Sequence, residues 1–528
     1  MTSHNKTTQI CAVLENAAKK WPDRPAITFE NITRSWSQTY SRCHGAATFF
    51  QNVGVEKGDR VAYLGFNSNV CFESYFSPAL IGATFIPVNY RLNVREMIEC
   101  IEDCLPKVLI IDPHFVDQAR EIAQCCPSIE TIAYSGAAEI PPGMVSYEKA
   151  IQCENQQLCS LSPSENDETV IIFYTGGTTG RSKGVMLSNI NFQCNTDCSI
   201  PLYRMQEAWN FIVLGPLFHL AAGSRVFSCT ALGGHAVILP KFDVLEVLKT
   251  VEAYKINSAT LVPTMLQMML DHAKFSTFDL SSLEMIAYGA SPMSVALLSR
   301  VIKAFPAVEI FQTFGMTEAS PILTSLDSKY HVLDGPNANK LGSVGKAVSH
   351  VELKIVDEQG VELPIGDTGQ ILARGENIMT GYLNLPEQTA QAMLDGWYQT
   401  GDAGYLDEEG FLFLEGRVKD MIVSGGENVY PIEVENVLSH HRAVHQCAVI
   451  GIPHETWGEA VHAVVVFEAG EQASEEELIK FCKQQIAGYK CPLSISIRNE
   501  PMPLSPINKI LKTELRKPFW EGRKSKLI

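Results

Sequence analysis

Apolar positions fall at helical spacing at the start of the chain and then gather into short unbroken runs. Ile10, Val13, Leu14 and Ala17 share one face of a predicted amphipathic helix over 10–21, which Pro22-Asp23-Arg24-Pro25 stops. From there to about residue 240, apolar runs such as 61–64, 108–111, 170–173 and 211–214 alternate with helical patterns, and 258–262 and 285–288 continue the rhythm. Such alternation predicts layered α/β structure with largely parallel sheets. After about residue 340 the pattern changes: 351–356 and 369–373 alternate in strand fashion between glycine turns, predicting a smaller β-rich unit over about 340–418. Gly416-Arg417-Val418-Lys419-Asp420 is polar and turn-like, and strand and helix patterns resume after it. The expected division is 1–418 for a large α/β body with its β-rich unit, and 419–528 for a small α+β domain.

Composition narrows the class. At 528 residues the chain is too long for one ordinary domain. With 46% apolar and 19% charged residues it is globular in character. A net charge of −17 without a lysine/arginine block argues against nucleic-acid partners and against anionic membranes. The fifteen cysteines are scattered and odd in number, and no apolar leader follows Met1, so free thiols in a reducing cytoplasm are expected. Cys100/Cys104 and Cys194/Cys198 have i,i+4 spacing but lack further zinc ligands, and core packing accounts for them better. No apolar run is long enough to span a bilayer. Ser525-Lys526-Leu527 stops one residue short of the terminus, so Ile528 spoils a peroxisomal address.

Candidate chemistry begins at Tyr174-Thr175-Gly176-Gly177-Thr178-Thr179-Gly180-Arg181-Ser182-Lys183-Gly184, directly after the 170–173 run. Glycines let backbone N–H groups face an anion, threonine hydroxyls add donors, and Lys183 supplies a charge. These features suit a polyphosphate cradle. The P-loop pattern fails at Ser182-Lys183-Gly184, and taken alone the stretch is equally a flexible strand-to-helix turn with a solvated lysine.

Later segments add weight. Gln312-Thr313-Phe314-Gly315-Met316-Thr317-Glu318 combines an aromatic to stack on a base, a hydroxyl for a phosphate oxygen and a carboxylate for magnesium. Thr317-Glu318 is equally a helix cap when read alone. Tyr398-Gln399-Thr400-Gly401-Asp402 offers a carboxylate beside a turn, suited to ribose hydroxyls, and Pro501–Asn508 is a proline-stiffened stretch that presents Lys509.

In this order the segments resemble the adenylate-forming superfamily of acyl-CoA synthetases, firefly luciferase and nonribosomal-peptide adenylation domains. Residues 174–184 match its Tyr-Thr-Ser-Gly-Thr-Thr-Gly-x-Pro-Lys-Gly loop. Pro216-Leu217-Phe218-His219, Tyr288-Gly289-Ala290-Ser291-Pro292, Phe314–Glu318, Gly381-Tyr382, Tyr398–Asp402, Gly416-Arg417 and Ser424-Gly425-Gly426-Glu427-Asn428 follow in the family's sequence.

The resemblance implies a two-step reaction: a carboxylate and ATP form an acyl-adenylate and pyrophosphate, and a thiol then displaces AMP. It implies that Thr175, Gly176, Gly177, Thr178, Thr179, Gly180 and Lys183 hold the β- and γ-phosphates, that Thr317 contacts the α-phosphate and that Glu318 binds Mg²⁺. Phe314, with Gln312, Thr313, Gly315, Gly289 and Ala290 around it, flanks adenine, and Asp402 and Arg417 engage the ribose. Lys509 bridges carboxylate and α-phosphate from the mobile C-terminal domain, whose hinge falls at Lys419. His219 and Ala222, with Gly315, border the acyl pocket, and Ser424, Gly425 and Gly426 line the path of the thiol. Several positions depart from the family pattern: Gly176 for serine, Ser182 for proline, Gln370 for glutamate and Asn508 for glycine.

Coenzyme A is the expected acceptor, on the glycine pair at 425–426, with a stand-alone loader of an acyl-carrier protein as the rival. A catalytically dead metabolite-binding regulator is the non-enzyme alternative, and the presence of Lys509, Glu318 and Asp402 opposes it. A homodimer is compatible with such a chain. Leu220-Ala221-Ala222-Gly223 and Val262-Pro263-Thr264-Met265 predict an apolar acyl pocket with no arginine placed for a second carboxylate. A medium- or long-chain fatty acid is therefore the expected substrate, with an aryl or phenylpropenoic acid as the alternative.

Overall fold

The computed structural model describes residues 9–137, 139–152, 162–175, 182–290, 293, 295–417, 420–424, 427–454, 457–504 and 510–521. The first helix is Ile10–Lys20, and it buries Ile10, Val13, Leu14 and Ala17 as its spacing requires. Two large sheets follow. One has eight strands: Arg60–Leu64, Thr84–Pro87, Val108–Ile111, Thr131–Tyr134, Val145–Ser146 and Thr169–Thr175 run parallel, and Lys183–Ser188 and Gly381–Tyr382 close one edge antiparallel. The other has nine: Pro25–Phe29, His235–Ile238, Asn210–Val213, Ser258–Leu261, Met285–Gly289 and Glu309–Gly315 form its parallel centre, with antiparallel strands at both edges. Their unbroken apolar runs are strands covered on both faces. The Val108–Ile111 strand, for example, is wholly buried.

The β-rich unit is an antiparallel sheet in which Val351–Val356 pairs with Gly369–Gly375 and the latter with Trp397–Leu406, which also pairs with Leu412–Arg417. Beyond it lies a small α+β unit. A hairpin of Val444–His454 and Gly458–Phe467 forms its centre, and the helices Pro431–Ser439, Glu475–Lys483 and Lys512–Trp520 accompany it. Pro431–Ser439 also packs on Leu412–Arg417, joining the two units. The architecture is thus mixed α/β, with a large N-terminal domain and a small C-terminal one.

One reading of the sequence changes. The strand-to-helix reading of the 174–184 stretch does not hold, because Lys183 opens a strand, Lys183–Ser188, that pairs antiparallel with Thr169–Thr175, with Thr175 opposite Lys183. The apolar Val185 and Leu187 need burial, and pairing beside the 170–173 run provides it. The cysteine pairs are core residues, as their apolar neighbours suggest, and among the described residues no cluster of His, Cys, Asp or Glu could hold a metal by itself. Among the described residues no helix is long and apolar enough to cross a membrane.

Candidate active site

The C-terminal ends of the parallel strands 285–289 and 309–315 lie side by side, with Gly289 level with Thr313. That edge of an open α/β sheet is where ligands are received. A Cβ on Gly289 would strike the Thr313 carbonyl, and one on Gly315 would strike the Pro321 carbonyl, so both positions require glycine. Ala290 continues the chain at φ 65° and is exposed. Gln312 is held from below: Tyr288 donates its hydroxyl to Gln312 Oε1 at 3.1 Å, and the same hydroxyl lies 3.2 Å from His331 Nε2. Thr313 Oγ1 donates to the Tyr288 carbonyl at 3.3 Å. Phe314 is half-buried beside these residues.

Thr317-Glu318-Ala319 forms one short helical turn after the 309–315 strand. The segment 377–382 clamps it. Asn377, fully buried, donates through Nδ2 to the carbonyls of Ala319 at 2.8 Å and Ile322 at 3.1 Å, and Met379 N–H donates to the Glu318 carbonyl at 2.8 Å. Tyr382 donates its hydroxyl to Glu318 Oε1 at 3.0 Å. Burial, with the Glu318 charge beside it, raises the Tyr382 phenol well above its ordinary range and keeps it a donor. Lys183 Nζ lies over the same ring, 4.7 Å from its centroid. A single tyrosine thus connects the last charge of the 174–184 stretch to the Thr317-Glu318 turn.

Glu318 is half-buried. A carboxylate that has no cluster of further ligands among the described residues suits Mg²⁺ carried mainly by nucleotide phosphates, the usual habit of that ion, rather than a metal caged by protein.

Asp402 is buried in the Trp397–Leu406 strand directly opposite Arg417 on the next strand. Its N–H donates to Thr400 Oγ1 at 3.1 Å, and that hydroxyl donates to the Ile371 carbonyl at 2.8 Å. His219 is the N-cap residue of the helix Leu220–Ala231, with its ring 4.5 Å from Phe218, and Ala222 is half-buried one turn in. Ser424, buried at the end of Ile422–Ser424, pairs with Glu427. Gly176, Gly177, Thr178, Thr179, Gly180, Lys419, Gly425, Gly426 and Lys509 lie outside the described residues.

Sequence reasoning missed three residues here. Tyr382 stands in the sequence only as part of the Gly381-Tyr382 motif, and nothing in its spacing announces a bond to a residue 64 positions away. Asn377 carried no signal. Arg225 is the sole charged residue of an otherwise apolar and small helix, which by sequence alone reads as a surface position.

Two open α/β sheets joined at a hydroxyl–carboxylate turn, followed by a β-rich unit and a small α+β unit, make the arrangement of an adenylate-forming ligase. The chain belongs to the AMP-binding enzyme family, which it matches over residues 14–383, with the AMP-binding enzyme C-terminal domain matched over 433–509. It is 33% identical to an indoleacetate–CoA ligase of Aromatoleum aromaticum, over 94% of this chain and 95% of that one. It is 34% identical to a feruloyl-CoA synthase of an Amycolatopsis species, over 95% and 97%. ATP-bound MatB from Rhodopseudomonas palustris superimposes with a TM-score of 0.87 at 28% identity, covering 98% of this chain and all of that one.

Proposed function

We propose that this chain activates a carboxylic acid with ATP and passes the acyl group to coenzyme A. The carboxylate oxygen attacks the α-phosphorus, the bond to the bridging oxygen breaks, and pyrophosphate leaves. The thiolate of coenzyme A, its proton lost to solvent, then attacks the acyl carbon, and the carbon–oxygen bond to AMP breaks. The observation that carries this reading is the Lys183–Tyr382–Glu318 chain, which joins the 174–184 loop to the Thr317-Glu318 turn.

In this scheme Thr175 and Lys183 grip the departing pyrophosphate, Thr317 meets the α-phosphate and Glu318 is the protein ligand of Mg²⁺. That ion, when bound, neutralises phosphate charge. Donors fixed before the reaction need no reorganisation during it, which is where such sites gain most of their rate. Asp402 and Arg417 take the ribose. Residues 419–528 move about Lys419 to bring Lys509 in for adenylation and the 424–426 segment in for thiolation, and this exchange keeps water from the adenylate.

The acyl group is predominantly apolar. A medium- or long-chain fatty acid fits the apolar wall beside His219, and the similarity to ligases named for arylacetic and phenylpropenoic acids favours an aryl acid as the second reading. Lys509→Ala tests the scheme: carboxylate-dependent ATP–pyrophosphate exchange should vanish while coenzyme A still attacks supplied acyl-adenylate. Equal loss of both half-reactions refutes it.

A further inference from the structure

The helix Leu220–Ala231 packs on one face of the central sheet. Val226, Phe227 and Cys229 share a core with Met285, Ala287 and Phe311, whereas Ala259, Leu261, Ile286 and Tyr288 face the opposite layer. Strand alternation therefore puts Thr260, Ala287, Gly289 and Thr313 on the helix side. Apart from Phe311 these are small groups. Thr260 is half-buried although Ala259 and Leu261 beside it are 4% and 3% exposed, and Ala221 on the helix is exposed. The partial exposure of Thr260 and Ala221 shows that solvent reaches this side of the sheet, the side that carries Gly289 and Thr313 at the strand ends.

Arg225 stands one helical turn beyond Ala221, on the same side of the helix. It is 9% exposed. Its Nε donates to Thr260 Oγ1 at 3.2 Å, and its guanidinium lies 4.5 Å from the centre of the Tyr203 ring. Tyr203 in turn packs edge-on against Phe311, and burial raises its phenol while Arg225 and Thr313 beside it oppose that rise. Among the described residues no carboxylate pairs with Arg225, and its buried Nη1 has no hydrogen-bond partner. A buried guanidinium N–H without an acceptor is costly, and the contacts with Thr260 and the Tyr203 ring meet only part of what the group can donate.

We infer that Arg225 is a specificity-determining residue that receives an oxygen acceptor, a carbonyl or a second carboxylate, carried by the far part of an otherwise apolar acid. The inference rests on the acid-activating reading above and sharpens it. It also reverses the expectation that no arginine faces the acyl group. Arg225 lies below the strand ends where the carboxylate is activated, so it addresses the tail of the acid. A guanidinium serves both acceptors: it pairs bidentately with a carboxylate and donates singly to a ketone.

The test is a panel in which hexanoic, octanoic, decanoic and 3-phenylpropanoic acids are each set against an equally long ω-carboxylated and an oxo counterpart. AMP release is measured with coenzyme A present. The wild-type enzyme should favour one of the oxygenated series by about tenfold or more in kcat/KM, the gain expected of a hydrogen bond to a charged donor. Which series it favours separates the two acceptors. Arg225→Met should reverse the preference toward the plain acids, and Arg225→Lys should retain it for carboxylates more than for ketones. Should Arg225→Met fail to fold, Thr260→Val, which removes the Nε anchor alone, should still narrow the ratio. A wild-type preference for the plain acids, or an Arg225→Met variant that slows every acid alike, overturns the inference. Failure of the acid-activating reading itself looks different, since no acid in the panel would then release AMP.

Discussion

Tyr382 makes two contacts that can be removed one at a time. In Tyr382→Phe the ring stays beneath Lys183 Nζ at 4.7 Å, while the 3.0 Å hydrogen bond to Glu318 Oε1 is lost. A hydrogen bond to a charged acceptor contributes about 1.5–3 kcal/mol, and the half-exposure of Glu318 brings this down to about 1 kcal/mol, roughly a fivefold effect. Tyr382→Leu also removes the cation–π contact, a further ~0.5–1 kcal/mol or roughly two- to fivefold. The two losses reach different ligands. If Glu318 serves Mg²⁺ and Lys183 serves the phosphates, the phenylalanine variant needs about five times more Mg²⁺ for half-maximal ATP–pyrophosphate exchange, with its KM for ATP unchanged at saturating Mg²⁺. The leucine variant shows that shift and a raised KM for ATP. The rise in melting temperature on adding ATP, measured with and without Mg²⁺, gives the same comparison free of turnover. Tyr382 is a packing residue only, and the reasoning fails, if Phe and Leu lower the melting temperature of the free enzyme yet leave both ligand dependences at wild-type values.

Two further outcomes follow from the same framework. Burial lowers the His331 pKa from 6.5 to about 4, so the unfolded chain takes up this proton first. Its contribution to stability is complete above about pH 6.5 and declines as pH falls toward 4, by up to about 3 kcal/mol. Chemical denaturation across that window should show a shallower decline for His331→Gln, with His235, also lowered to about 4, sustaining the remainder; an unchanged slope would contradict the assignment. Gly315→Ala drives a Cβ into the Pro321 carbonyl, so a loss of about 2 kcal/mol or more in stability and of ATP–pyrophosphate exchange is expected. Wild-type melting and exchange in that variant would show that the turn yields.

The strands were legible because fully buried strands write themselves as unbroken apolar runs: 108–111 and 285–288 appear in the structure within a residue of their expected limits. Asp402 and Arg417 could be paired in function from the family resemblance alone, and the register sets them opposite one another. The hairpin at 175 and 183 was not legible, since periodicity reports which residues are buried and not which strand runs beside which. Arg225 was overlooked for a related reason. A lone arginine in a helix reads as a surface residue until the packing of Val226 and Phe227 on the sheet shows that the helix is covered on nearly every side. Asn377 and Tyr382 act across 55 and 64 positions of sequence, and no local pattern encodes contacts of that length.

Those distant contacts share one short segment, and their distribution bears on how the site can move. Asn191 Nδ2 donates to the carbonyls of Glu376 and Ile378, Thr380 N–H to the Met186 carbonyl and Leu383 N–H to the Gly184 carbonyl, while Asn384 Nδ2 donates to the Asp103 carbonyl. These bonds fasten 376–384 to the strand that begins at Lys183 and to the helices Asn189–Leu202 and Val94–Cys104 beside it. The bonds from Asn377 and Met379 fasten the same segment to Glu318, Ala319 and Ile322 at the edge of the nine-stranded sheet. Lys183 and Glu318 are therefore held at a set separation by backbone bonds as well as by Tyr382, before any nucleotide arrives. Displacing one relative to the other would break several partly buried hydrogen bonds together, each costing about 1–3 kcal/mol if left unmet. Rearrangement during turnover must then spare this joint. Under the proposed scheme the motion falls instead beyond residue 417: among the described residues the strongest contact between the small unit and the body is that of Pro431–Ser439 with Leu412–Arg417, and burial and the neighbouring Glu433 charge both raise the Glu415 carboxyl there and so oppose close packing of the ionised group.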